Sequence, residues 1–111
     1  MGHFEARTST EPGRLVVALA GECDLAGRDE LAAVLLAAVD RTSVVFVDLA
    51  GLTFIDSSGV HGLVTAYHAA RQTGGRLYVI NAGGTVAEVL DLTGIGDLLR
   101  PPADRIDGHH A

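Results

Sequence analysis

Positive charge is scarce in this sequence. Eight Lys+Arg stand against 14 Asp+Glu, a formal net charge of −6. An acidic surface repels phosphate backbones, so nucleic acid is not an expected partner. Cysteine is nearly absent too: Cys23 is alone. It has no mate for a disulfide within the chain, which fits a reducing compartment. No apolar run approaches the roughly 18–20 residues that cross a bilayer, so no membrane insertion is expected. Met1-Gly2-His3-Phe4-Glu5-Ala6 lacks the basic and apolar regions of a secretory signal. Ala6 stands where a myristoylation site needs Ser or Thr. These absences together predict a soluble cytoplasmic protein.

What is present is enough for one core. The 111 residues are 48% hydrophobic and 20% charged, a composition for a single folded domain rather than a disordered chain. Phe4, Ala6 and Thr8 alternate with Glu5 and Arg7, the pattern of a half-exposed strand. A turn over Ser9 to Gly13, with Pro12-Gly13, leads into a second strand from Leu15 to Ala20. So short a connection requires an antiparallel hairpin. Leu31, Val34, Leu35 and Ala38 form the stripe of an amphipathic helix that starts at or just after Asp24.

Val44-Val45-Phe46-Val47 reads as a central strand buried on both faces, with Asp48 at its C-terminal end and a loop beyond. Val60, Leu63, Val64 and Tyr67 mark a second helix, which Gly74-Gly75 ends. Leu77 to Ile80 reads as another buried strand. Gly83-Gly84-Thr85 opens a third helix with Thr85 as its cap and Val86, Val89 and Leu90 as its apolar face. Alternating strands and helices imply parallel pairing. The fold class is therefore α/β: a small mixed sheet of four to five strands with helices packed on it. One domain is expected over 1–100, and a flexible tail over 101–111.

The informative stretch is Leu52-Thr53-Phe54-Ile55-Asp56-Ser57-Ser58-Gly59-Val60. A carboxylate and two hydroxyls stand directly before a helix, where first-turn N–H groups lack partners. Asp56, Ser57 or Ser58 can cap them, and the same donors suit a phosphate. A phosphoserine there would bring roughly −1.5 to −2 charges and change the local surface without unfolding the helix.

Leu19-Ala20-Gly21-Glu22-Cys23-Asp24, Val45-Phe46-Val47-Asp48-Leu49 and Phe54-Ile55-Asp56-Ser57-Ser58-Gly59-Val60, in that order and spacing, resemble the STAS domain of bacterial anti-sigma factor antagonists. Gly74-Gly75 and Leu92-Thr93-Gly94-Ile95 resemble the family as well, so the likeness covers roughly residues 4 to 100. The resemblance implies a switch. The serine after the aspartate, here Ser57 with Ser58 as the nearby alternative, is phosphorylated by an anti-sigma factor that is a serine kinase. The unphosphorylated protein binds that factor and frees the sigma factor. Phosphorylation cancels binding, and a PP2C-type phosphatase restores it.

The resemblance places Gly21-Glu22-Cys23-Asp24 beside the serine. A docking surface is then expected from Asp24, Asp56, Ser57, Ser58, Gly59, Val60 and His61, with Gly59 allowing close approach of a partner. No cofactor is implied. The alternative is a STAS module of a stress-signalling or lipid-transport complex that binds its partner constitutively and is never phosphorylated.

Other chemistries fit less well. Ser57, His61 and Asp56 suggest a hydrolase, but Ile55-Asp56 replaces the glycine-flanked approach of a nucleophile elbow. Asp48 suggests a phosphoaspartate receiver, but Leu19 to Gly21 offers no acidic pair for Mg²⁺, and Arg100 is not the lysine such a site needs. Asp48 is expected instead to bond loop N–H groups. His61 and His68, seven residues apart, lie about 10.5 Å apart along a helix, too far to share one metal ion. His109-His110 fall in the tail. Gly83-Gly84 lacks the Gly-Lys-Ser/Thr of a P-loop. Cys23 is expected to be a small buried residue rather than a redox sensor.

Overall fold

A computed structural model describes residues 4–102 of the chain. The expected tail falls largely on residues 103–111, outside the described residues. The hairpin forms where Pro12-Gly13 places it. Strand β1 (Phe4–Glu11) pairs antiparallel with β2 (Arg14–Cys23), and Glu11 opposes Arg14 across a two-residue turn. Pro12 fixes its own φ, and Gly13 supplies the φ of +79° that the turn's second position requires.

A short 3-10 turn (Leu25–Gly27) follows, then helix α1 (Arg28–Arg41). The helix thus starts four residues after Asp24, because the Gly27 N–H donates to the Asp24 carbonyl and closes a separate turn first. Next come β3 (Val44–Ile55), α2 (Ser57–Gln72), β4 (Arg76–Ile80), α3 (Gly84–Thr93) and the one-turn α4 (Ile95–Leu98). The sheet order is β1-β2-β3-β4, with β2, β3 and β4 parallel, so the sheet is mixed as expected.

Burial alternates along the parallel strands. Leu15, Val17 and Leu19 of β2, Val45, Val47 and Leu49 of β3, and Leu77 and Val79 of β4 enter one core with Leu31, Leu35, Leu63, Ala66, Val86 and Leu90 of the helices. Among the described residues that core contains no buried polar side chain. Leu99 belongs to it too, held by the Val79 N–H donating to the Leu99 carbonyl.

Three expectations are corrected here. Val44, Phe46, Tyr78 and Ile80 are only half-buried, so β3 and β4 are not covered on both faces. The helices take one face, and an apolar strand run alone does not reveal that the other stays open. Second, Asp48 does not end its strand. β3 continues to Ile55 and pairs with Ala20 to Cys23 through two register shifts. These bulges interrupt the alternation, which is why 49–55 reads as loop. Third, Thr85 does not cap α3. Gly83 is the cap residue, and the Thr85 hydroxyl donates instead to the Thr53 carbonyl at 3.4 Å.

Candidate functional site

The irregular half of β3 delivers the Asp-Ser-Ser segment to the C-terminal edge of the sheet. Cys23 pairs with Ile55, and the Asp56 N–H donates to the Cys23 carbonyl at 3.2 Å. The end of β2 therefore lies directly beside the start of α2. Asp24 follows Cys23, and Asp56 follows Ile55, so two carboxylates leave adjacent strand ends together.

Asp56 is the cap of α2. Its backbone is extended, and one carboxylate oxygen accepts from the Ser58 N–H at 2.9 Å and the Gly59 N–H at 3.2 Å. Of the three capping candidates, only the aspartate has the reach while its own backbone stays outside the helix. Two first-turn donors are thereby committed to an anion the chain already carries. A phosphate on Ser57 would meet Asp56 and Asp24 without the Ser58 and Gly59 donors.

Ser57 is the first helical residue and is exposed. Ser58 is half-buried. His61, one turn on from Ser57, is exposed on the same side of α2. Gly59 and Val60 turn inward; Val60 is only 8% exposed. A Cβ at Gly59 would lie 2.6 Å from Ile55 Cγ1 and 3.0 Å from Cys23 Sγ. The glycine is thus required from inside, where the helix start presses on the strand ends, and not for approach from outside. Of the expected docking residues, Ser57 and His61 present exposed side chains, Asp24, Asp56 and Ser58 are half-buried, and Gly59 and Val60 support them from below.

Burial first, and then the negative charges of Asp56 and Asp24, together push the Cys23 thiol up to about 11. The thiol stays neutral near pH 7 and is sealed from solvent, so it is a packing residue and not a redox sensor. Asp56 serves as the helix cap, with one carboxylate oxygen bound to two backbone N–H groups. Asp48 accepts from the Ala50 N–H at 3.0 Å and from Asn81 Nδ2 at 3.1 Å; the backbone donor lies within β3 and not in a loop as expected, and the side-chain donor follows β4. Among the described residues no group of three metal-ligating side chains gathers, and no helix is long and apolar enough to cross a membrane.

Two surface residues were not singled out as docking residues in the sequence. Leu25 is 63% exposed directly after Asp24, and Phe54 is 44% exposed two residues before Asp56. Exposed large apolar side chains beside a charged loop are the usual anchors of a protein interface. Phe54 lies in the quoted motif, but its exposure follows from the bulge. Leu25 lies outside the stripe of Leu31, Val34, Leu35 and Ala38, and its exposure depends on the 3-10 turn.

Comparison with known proteins identifies the fold and the family. The STAS domain model matches residues 4–108. The anti-sigma-B factor antagonist of Staphylococcus aureus (strain NCTC 8325 / PS 47) is 28% identical over 98 residues, covering 87% of this chain and 91% of that protein. The crystal structure of an anti-sigma factor antagonist from Mycobacterium paratuberculosis superposes with a TM-score of 0.79 at 24% identity, covering 93% of this chain and 90% of that one. The anti-sigma factor antagonist SpoIIAA, in its unphosphorylated form, superposes with a TM-score of 0.74 at 23% identity, covering 96% and 97%. Its phosphorylated form from Bacillus superposes at 0.66 and 20% identity, covering 98% and 100%.

Proposed function

The chain belongs to the STAS domain family, and from that premise we propose that it is an anti-sigma factor antagonist switched by phosphorylation of Ser57. It acts by binding and not as an enzyme. Its partners are an anti-sigma factor that is a serine kinase and a PP2C-type phosphatase that removes the phosphate. The single domain comprises residues 1–100.

The observation that carries this reading is the placement of Ser57. Its side chain is exposed at the first position of α2, beside Asp56 and next to the strand end that carries Asp24. In the unmodified state the hydroxyl is small and neutral, and the segments that lead to Asp24 and Asp56 and away from them carry the exposed apolar side chains of Leu25 and Phe54. A phosphate would add roughly −1.5 to −2 charges to a site that already holds two carboxylates. Asp56 retains the Ser58 and Gly59 donors that would otherwise stabilise the newcomer. A badly placed interfacial charge costs about 2–5 kcal/mol, or about 30- to several-thousand-fold in affinity. No refolding is needed, because the cap and the helix stay as they are.

The test is incubation of the protein with the host's candidate anti-sigma kinases and ATP, followed by phosphosite mapping. Label at Ser57, lost in Ser57→Ala while binding persists, is the expected result. Absence of label, with Ser57→Glu binding as tightly as the unaltered chain, would instead identify a constitutive interaction module.

A further inference from the structure

The face of the sheet that the helices leave open carries a cavity of about 610 Å³. It lies at the N-terminal ends of the parallel strands, the opposite end of β3 from Ser57. Val44, Phe46, Tyr78 and Ile80 make its floor, and Pro101-Pro102 makes a wall where the chain leaves α4. The register explains the floor: Phe46 opposes Tyr78, with ring centroids 5.4 Å apart, and Val44 opposes Arg76. Since Leu15 opposes Val45, Arg14 comes level with Val44 from the other side.

Two arginines thus flank one valine, about 10 Å apart at the backbone, or two strand spacings. Both line the cavity. The Arg14 guanidinium rests 4.6 Å above the Phe46 ring, and its Nε donates to Glu11 at 2.8 Å. Arg76 Nη1 donates to the Gly75 carbonyl at 2.8 Å. These contacts fix both stems at the rim of an apolar floor.

We propose that this cavity binds a free amphipathic carboxylate, a medium-chain alkyl acid. Its carboxylate sits between Arg14 and Arg76, and its chain lies over Phe46, Tyr78 and Ile80 against Pro101-Pro102. Two guanidinium groups at one rim in a chain of net charge −6 select an anion: Arg14 keeps its Nη donors beyond the Glu11 pair, and Arg76 keeps Nε and Nη2 beyond the Gly75 carbonyl. The floor selects an apolar body, and the volume lies in the usual range of roughly 300–1,000 Å³ for small-molecule sites.

The test is NMR titration of the full chain with decanoate below its micelle concentration. The expected result is saturable shifts at the Val44 methyls and at Phe46, Tyr78 and Ile80, with Ser57 unmoved. Binding should weaken roughly tenfold in Arg14→Gln or Arg76→Gln, and decanol should bind more weakly than decanoate. Unchanged backbone shifts elsewhere will show that both variants are folded. The proposal is overturned by any of four results: no saturable shift, equal binding of decanol, arginine variants that bind like the unaltered chain, or cosedimentation with phosphatidylglycerol vesicles in place of decanoate binding.

Discussion

The two halves of β3 differ in kind. From Val45 to Asp48 the strand pairs with both neighbours in unbroken register, and from Val44 on its residues alternate between core and open face. From Leu49 to Ile55 it pairs with β2 alone, takes up two extra residues, and exposes Gly51, Thr53 and Phe54. The regular half is held from both sides and serves as scaffold. The bulged half is held from one side, and its bulges re-aim the chain so that Asp56 meets the end of β2 and Ser57 emerges into solvent. Regular pairing builds the core, and broken pairing places the site.

Substitutions can break this division or sharpen it. Val47→Ala, in the regular half, empties part of a fully buried position. It should lower unfolding free energy by about 1.5–3 kcal/mol, measured by denaturant titration, while the folded fraction binds its partner normally. Phe54→Ala, in the bulged half, should do the reverse. Partner affinity should fall about tenfold, the effect of losing an interface anchor worth over 1 kcal/mol, while stability changes by less than about 0.5 kcal/mol. If the two exchange effects, the division is wrong.

Asp56→Ala removes the α2 cap and should cost about 1 kcal/mol of stability, read from the thermal midpoint. A pH effect, confined to alkaline solution, arises where Cys23 pairs with Ile55 at the end of the bulged half. Cys23 has its pKa raised from 9.0 to about 11 in the folded chain. Above pH 9 the unfolded thiol ionises while the folded one stays protonated, so the unfolded state binds fewer protons. Stability is therefore unaffected by this group below about pH 9 and falls as pH rises towards 11. Cys23→Ala should remove that part of the slope in a series of melts.

The same contrast explains what the sequence could reveal. The first strand and the stripe Val60, Leu63, Val64, Tyr67 are legible from a period of 2 or 3.6, and the other strands as short apolar runs rich in β-branched residues. Asp56, Ser57 and Ser58 are legible as a helix start because capping needs those residue types. Beyond Asp48 the period fails. Leu49, Leu52 and Ile55 are all buried at a spacing of three, which fits neither a strand nor a loop until the bulges are seen. The exposure of Leu25 depends on a 3-10 turn before α1. The inward role of Gly59 depends on the distance between α2 and the strand ends. The open face depends on which side the helices choose, and strand composition does not encode that choice.

The most direct measurement is calorimetric titration of the cognate anti-sigma factor with two forms of the chain: unmodified, and stoichiometrically phosphorylated at Ser57. The account predicts that phosphorylation weakens binding by about 30- to several-thousand-fold, with the helix content by circular dichroism unchanged. Equal affinities for the two forms would contradict it.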